Sequence, residues 1–127
     1  MNRNIEKIFG YLSIHLSPKI FKHSYNVAVL AGELALRYSI DILKARSDGI
    51  LHDCAKGMTD KELINFFKRR HKGFKYYQAI IRFSPHLLHS FAGEIIAKEN
   101  LKIKDCDILN AIKNHTQGRE NMSVLEK

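Results

Sequence analysis

Tryptophan is absent from this 127-residue chain, cysteine and proline occur twice each, and strand-like alternation of polarity is missing. Each scarcity excludes something. Cys54 and Cys106 lie far apart and form no C-x-x-C pair, which removes a thiolate-built zinc site and argues against a secreted disulfide scaffold. No apolar run approaches the roughly 18 residues a membrane span needs. The opening Met1-Asn2-Arg3-Asn4-Ile5-Glu6-Lys7 interrupts any signal-peptide core with charge. With so little to break helices and no strand pattern, the sequence predicts an all-α bundle forming a single domain over residues 1–127. The expected setting is reduced and cytoplasmic, without a membrane partner.

What is present is a mixed, basic composition: 45% hydrophobic and 27% charged residues, with 21 Lys and Arg against 13 Asp and Glu, net +8. That content supports a packed core, and the charge favours a polyanionic partner such as nucleic acid, an anionic surface or a phosphate-rich small molecule.

The two prolines follow serines, Ser17-Pro18 and Ser84-Pro85, each readable as an N-cap with proline at the first helical position. Ile5, Ile8, Phe9, Leu12 and Leu16 share one helical stripe over 4–16. Phe21, Val27, Leu30, Leu34 and Tyr38 give the next over 18–38. Asp41 caps a third helix running through Leu51 toward Lys56. Thr59-Asp60-Lys61-Glu62 fits a capping box for a fourth. Residues 74–83 read as helical, Pro85 starts a helix ending near Asn100, and Asp105 opens a last one that reaches His115 and stops at Gly118.

The chemistry lies in the histidines. His52-Asp53 closes the apolar run Gly49-Ile50-Leu51, and a carboxylate beside an imidazole in such a context is costly unless paired or metallated. Lys56 follows one turn later, placed to meet a phosphate oxygen. Read alone, the dipeptide is better explained as a capped helix end, with Lys56 answering the dipole and Asp53 in a salt bridge. His23 is predicted on the buried stripe of its helix, His89 follows Leu87-Leu88 with Gly93 one turn on, and His115 ends Ile108–Asn114 where a core-facing residue is due. His86 is a weaker candidate on the face of His89; His15 and His71 read as peripheral. Imidazoles and a carboxylate without thiolate suit Fe, Mn, Co, Ni or Zn rather than Ca²⁺. Two such metals about 3.5–4 Å apart would let a bridging hydroxide attack phosphorus.

These residues resemble the HD-domain metal phosphohydrolases, and more narrowly the YqeK group of symmetrical diadenosine tetraphosphate hydrolases. The resemblance is carried by His23, Leu51-His52-Asp53-Cys54-Ala55-Lys56, Leu87-Leu88-His89-Ser90-Phe91-Ala92-Gly93 and Asn110–Arg119 with its His115-Thr116-Gln117-Gly118-Arg119, followed by Met122-Ser123-Val124-Leu125-Glu126-Lys127. It implies a bundle of about six to seven helices and a two-metal centre, with iron as the expected metal, that cleaves the tetraphosphate bridge into two ADP. It implies His23, His52 and Asp53 on one metal, Asp53 bridging, and His89 and His115 on the second. Lys56, Arg119 and Thr116 would contact the nucleotide.

The chain departs from the family pattern at Ile20, where arginine is usual, and at Phe91 and Glu94. The family's last ligand, an aspartate, belongs to a helix beyond Lys127, so the expectation is a site short of that residue. Two other readings stay open. One keeps the metals and changes the substrate to another nucleotide or phosphoester. The other is a basic helical module binding nucleic acid or protein, supported by Lys68-Arg69-Arg70-His71-Lys72 beside Phe74, Tyr76 and Tyr77, although a solvated helix end explains that run better and disfavours nucleic acid. Monomer and homodimer are both compatible with the sequence.

Overall fold

Local sequence chemistry sets the helix starts. In the computed structural model, which describes residues 2–70, 74–115 and 125, the Ser17 hydroxyl accepts from the Ile20 amide (3.3 Å) and Asp41 accepts from Lys44 N (3.2 Å). Asp105 accepts from the amides of Asp107 and Ile108. Thr59 and Glu62 form the reciprocal capping box: Thr59 N donates to Glu62 Oε1 and Glu62 N donates to Thr59 Oγ1. The resulting elements are α1 (Asn2–His15), α2 (Pro18–Arg37), α3 (Ile42–Leu51), α4 (Asp60–Arg70), α5 (Phe74–Phe83), a 3₁₀ turn (Pro85–Leu87), α6 (Leu88–Glu99) and α7 (Cys106–Asn114). No strand occurs among the described residues, and no helix of theirs is long and apolar enough to cross a membrane.

Two boundaries differ from the sequence expectation. The third helix stops at Leu51, and residues 52–58 form turns closed by Cys54 N→Leu51 O, Lys56 N→Asp53 O and Met58 N→Ala55 O. Pro85 opens a 3₁₀ turn rather than the α-helix, and the Ser84 side chain makes no capping bond there. Gly118 lies outside the described residues.

The core gathers Leu12, Leu51, Leu63, Phe67, Leu88 and Ile112, all essentially inaccessible, each contributing about 1.5–3 kcal/mol relative to exposure. The α2–α3 pairing is built differently. The buried face of α2 consists of Ser24, Ala28, Gly32 and Ala35, while Leu30, Leu34 and Tyr38 point outward. Small residues win this face because the helices approach too closely for large ones: a Cβ on Gly49 would stand 2.6 Å from Ala28 Cα. Of the large-residue stripe expected on α2, Leu30, Leu34 and Tyr38 therefore lie on the outer face, while Phe21 is half-buried against the core. At the other flank of α3, Lys44 reaches Asp105 (3.0 Å) and Asp107 (3.3 Å) at the start of α7. The two helices thus begin side by side, and they end side by side as well, at His52 and His115.

Candidate metal centre

Three histidines are held by one repeated local device. The Nδ1 of His52 lies 2.6 Å from the Gly49 carbonyl, that of His89 2.7 Å from the His86 carbonyl, and that of His115 2.7 Å from the Ile112 carbonyl. A carbonyl only accepts, so each Nδ1 carries the proton. Each ring is thereby locked with Nε2 facing inward, as a backbone carbonyl on the other nitrogen orients metal-binding imidazoles. His52 and His115 occupy the C-caps of α3 and α7, and His89 the first turn of α6.

The inward nitrogens converge on Asp53, whose side chain is 4% exposed. Oδ2 lies 3.2 Å from His52 Nε2 and 3.7 Å from His23 Nε2; Oδ1 lies 3.2 Å from His115 Nε2 and 3.4 Å from His89 Nε2. Lys56 Nζ stands 3.7 Å from Oδ2 at the exposed side. Two triplets, His23–His52–Asp53 and Asp53–His89–His115, each bring one ligand atom per residue close enough to share a metal ion. Burial alone would raise the Asp53 carboxyl, but when His115, His52 and His89 also carry a proton on Nε2 their hydrogen bonds outweigh it and hold the group well below the ordinary carboxylate range. For His52, burial works downward, yet the contact with Asp53 and the bond to Gly49 leave its net shift upward.

The donor set fits a divalent metal. His89 Nε2 and His115 Nε2 are 3.2 Å apart. With both Nδ1 atoms protonated, two neutral rings would oppose lone pairs there, an arrangement relieved only by a proton or a cation.

Five sequence-predicted ligands are therefore brought together: His23, His52, Asp53, His89 and His115, with Lys56 at the rim. One expectation about them is corrected. His23 is not buried; its side chain is 55% exposed, because the inner face of α2 is the small-residue seam and His23 stands at its open edge. His86 stays out of the cluster: its ring is exposed and within 3.4 Å of Ser84 Oγ, and its carbonyl serves His89. Thr116, Arg119 and His71 lie outside the described residues. Cys54 is buried behind Asp53, its Sγ donating to the Gly93 carbonyl (3.4 Å), and burial with the adjacent Asp53 charge pushes the thiol up to about 12.

Sequence reasoning missed Asp48. It precedes His52 by one helical turn, its Oδ1 is buried without a hydrogen-bond partner among the described residues, and burial raises its carboxyl to about 6 against the lowering influence of His52 and His115. The available signal was the i, i+4 spacing to His52 on a predicted helix.

Fold and site together define an all-α scaffold that gathers four histidines around one buried carboxylate, a donor set suited to a divalent metal. The chain belongs to the HD domain family, whose model matches residues 20–127. Among curated relatives, the symmetrical bis(5'-nucleosyl)-tetraphosphatase of Halalkalibacterium halodurans is 35% identical over 127 residues, all of this chain and 65% of that protein. The Bacillus subtilis protein of the same name is 32% identical over the same span, again 65% of its length. This chain thus spans just under two thirds of those relatives. Among solved structures, a predicted HD superfamily hydrolase involved in NAD metabolism from Clostridium acetobutylicum matches with a TM-score of 0.87 and 43% identity, covering 96% of this chain and 63% of that one.

Proposed function

We propose that this chain carries the metal-dependent hydrolase site of a symmetrical dinucleoside tetraphosphatase, cleaving diadenosine tetraphosphate into two ADP. The observation that carries the reading is the division of four imidazole nitrogens between the two oxygens of one buried carboxylate. The names of the bacillary relatives point to the same substrate class.

In this reading His23, His52 and Asp53 would hold one metal, and Asp53, His89 and His115 would hold a second. Iron is the proposed metal; Mn, Co, Ni and Zn match the same donors. When bound, the metals supply charge neutralisation at phosphate oxygens and lower the pKa of water. The protein's own groups do the rest. The three Nδ1–H···O=C bonds keep the imidazoles in the binding tautomer, so substrate charge cannot swing them away. Asp53 remains ionised across the physiological range. Lys56, exposed at the rim, turns from Asp53 to a phosphate oxygen, a task shared in this proposal with Arg119 and Thr116. The net charge of +8 draws in a polyanionic substrate.

Chromatography of the products tests the proposal. Diadenosine tetraphosphate incubated with metal-loaded protein should yield ADP alone; AMP with ATP, or no turnover with any of the five metals, overturns it.

A further inference from the structure

Behind the metal-bearing turn the surface opens into a trough that none of the proposed ligands lines. Two adjoining cavities, of about 590 and 490 Å³, share Met58, Glu62 and Arg69 and so form one depression along α4 between the end of α1 and α6. Each is within the size range of small-molecule sites.

The lining supplies two different kinds of contact. At one end Lys68 and Arg69 are exposed and, among the described residues, have no carboxylate partner. Glu62, the acid between them and the turn, is engaged with the Thr59 amide at 3.0 Å, and Arg70 is paired with Glu99 at 3.5 Å. Glu62 keeps its charge in that bond, and among the described residues Lys68 and Arg69 together outweigh it, leaving this end of the trough cationic. At the other end the His15 ring stacks on Tyr11, with centroids 4.1 Å apart and planes 28° from parallel, and His15 is exposed. A planar ring backed by a second ring is a stacking platform, and two unpaired cations are a phosphate anchor.

A simple anion would use only the cations and an aromatic ligand only the platform. A molecule that joins a planar base to two or more phosphates uses both. We propose that this trough is a second nucleotide site, separate from the metal centre, that takes a nucleoside di- or polyphosphate with its phosphates on Lys68 and Arg69 and its base on His15. The site does not depend on the hydrolase reading, since no metal-binding residue takes part. It does share a wall with the centre: Met58 ends the turn that begins with His52 and Asp53, and Gly57 in that turn backs so closely onto the His15 carbonyl that no Cβ fits.

The test uses the full chain after chelator treatment and with Lys56→Gln, which removes both the metals and the cation at the centre, with ADP, pyrophosphate and a uridine decanucleotide as probes. ADP should bind saturably and shift the methyl resonance of Met58. Charge reversal in Lys68→Glu/Arg69→Glu should weaken ADP on the order of tenfold or more. His15→Ala should weaken ADP by about tenfold while leaving pyrophosphate unchanged. Because these side chains are exposed, melting points should stay within a few degrees of the parent. Should the charge-reversed chain fail to fold, the Met58 shift in the Lys56→Gln chain decides alone. Absence of that shift, ADP affinity indifferent to both variants, or a decanucleotide that binds tenfold tighter than ADP and displaces it would each overturn the proposal, the last in favour of an RNA surface.

Discussion

His89 and His115 face each other through their Nε2 atoms at 3.2 Å while both Nδ1 atoms are occupied by backbone carbonyls. Nothing in the protein but a shared proton can make that contact attractive, so a divalent cation should replace the proton and stabilise the fold. Adding iron(II), manganese or cobalt to chelator-treated protein is expected to raise its melting point, with about 2.7 kcal/mol of stabilisation at a metal concentration one hundred times Kd. The gain should shrink as pH falls, because protons compete for the same nitrogens. A melting point indifferent to metal at neutral pH would sink the metal-centre reading.

Ligand identity can be checked by counting metals. His115→Ala removes one of the two nitrogens on the Oδ1 side of Asp53 and should lower retained metal from two per chain toward one. His86→Ala should retain both, since that ring is exposed and only its carbonyl, which the substitution keeps, supports His89. Elemental analysis of the purified variants reads the difference directly. Equal loss from both would undo the assignment.

Much of the site was legible because its residues sit at the ends of periodic apolar runs: His52 after Gly49-Ile50-Leu51, and His115 after Ile108–Asn114. The capping chemistry of Asp41, Thr59–Glu62 and Asp105 was legible for the same local reason. The orientation of α2 was not. Periodicity locates an apolar stripe but does not say that a neighbouring helix comes near enough to demand Ser24, Ala28 and Gly32 instead of Leu30 and Leu34. That is a tertiary fact, and the exposure of His23 follows from it. Asp48 escaped for a related reason, since its burial is set by the packing around α3, which helix periodicity does not report.

The same close approach yields a stability prediction. Gly49→Ala would place a methyl 2.6 Å from Ala28 Cα, a backbone atom that cannot swing aside. Alanine favours a helix by roughly 1 kcal/mol over glycine, so a surface site would gain from this change. Here overpacking should dominate, with a net loss of about 1–3 kcal/mol in urea denaturation. His52 begins three residues further on, so displacement of α3 should also reduce metal retention. A stabilised variant would contradict the seam described for α2 and α3.

Asp48 gives a pH signature of opposite sign to that of a salt-bridged carboxylate. Its folded-state value, about 6, stands above the ordinary 3.8 because burial penalises the charged form. The folded chain therefore keeps a proton that the unfolded chain releases, and this group's contribution to stability grows as pH falls through 6 and is complete below 3.8. The full difference is about 3 kcal/mol, of which roughly 1–2 is expressed between about pH 7.5 and pH 5. Asp48→Asn lacks the titration. In chelator-treated protein the parent should gain that amount relative to the variant over the interval; His52 titrates in both chains, at a lower pH in the variant because the Asp48 charge that raises it is gone. A parent–variant gap that stays constant with pH would show that Asp48 carries its charge at neutral pH without penalty.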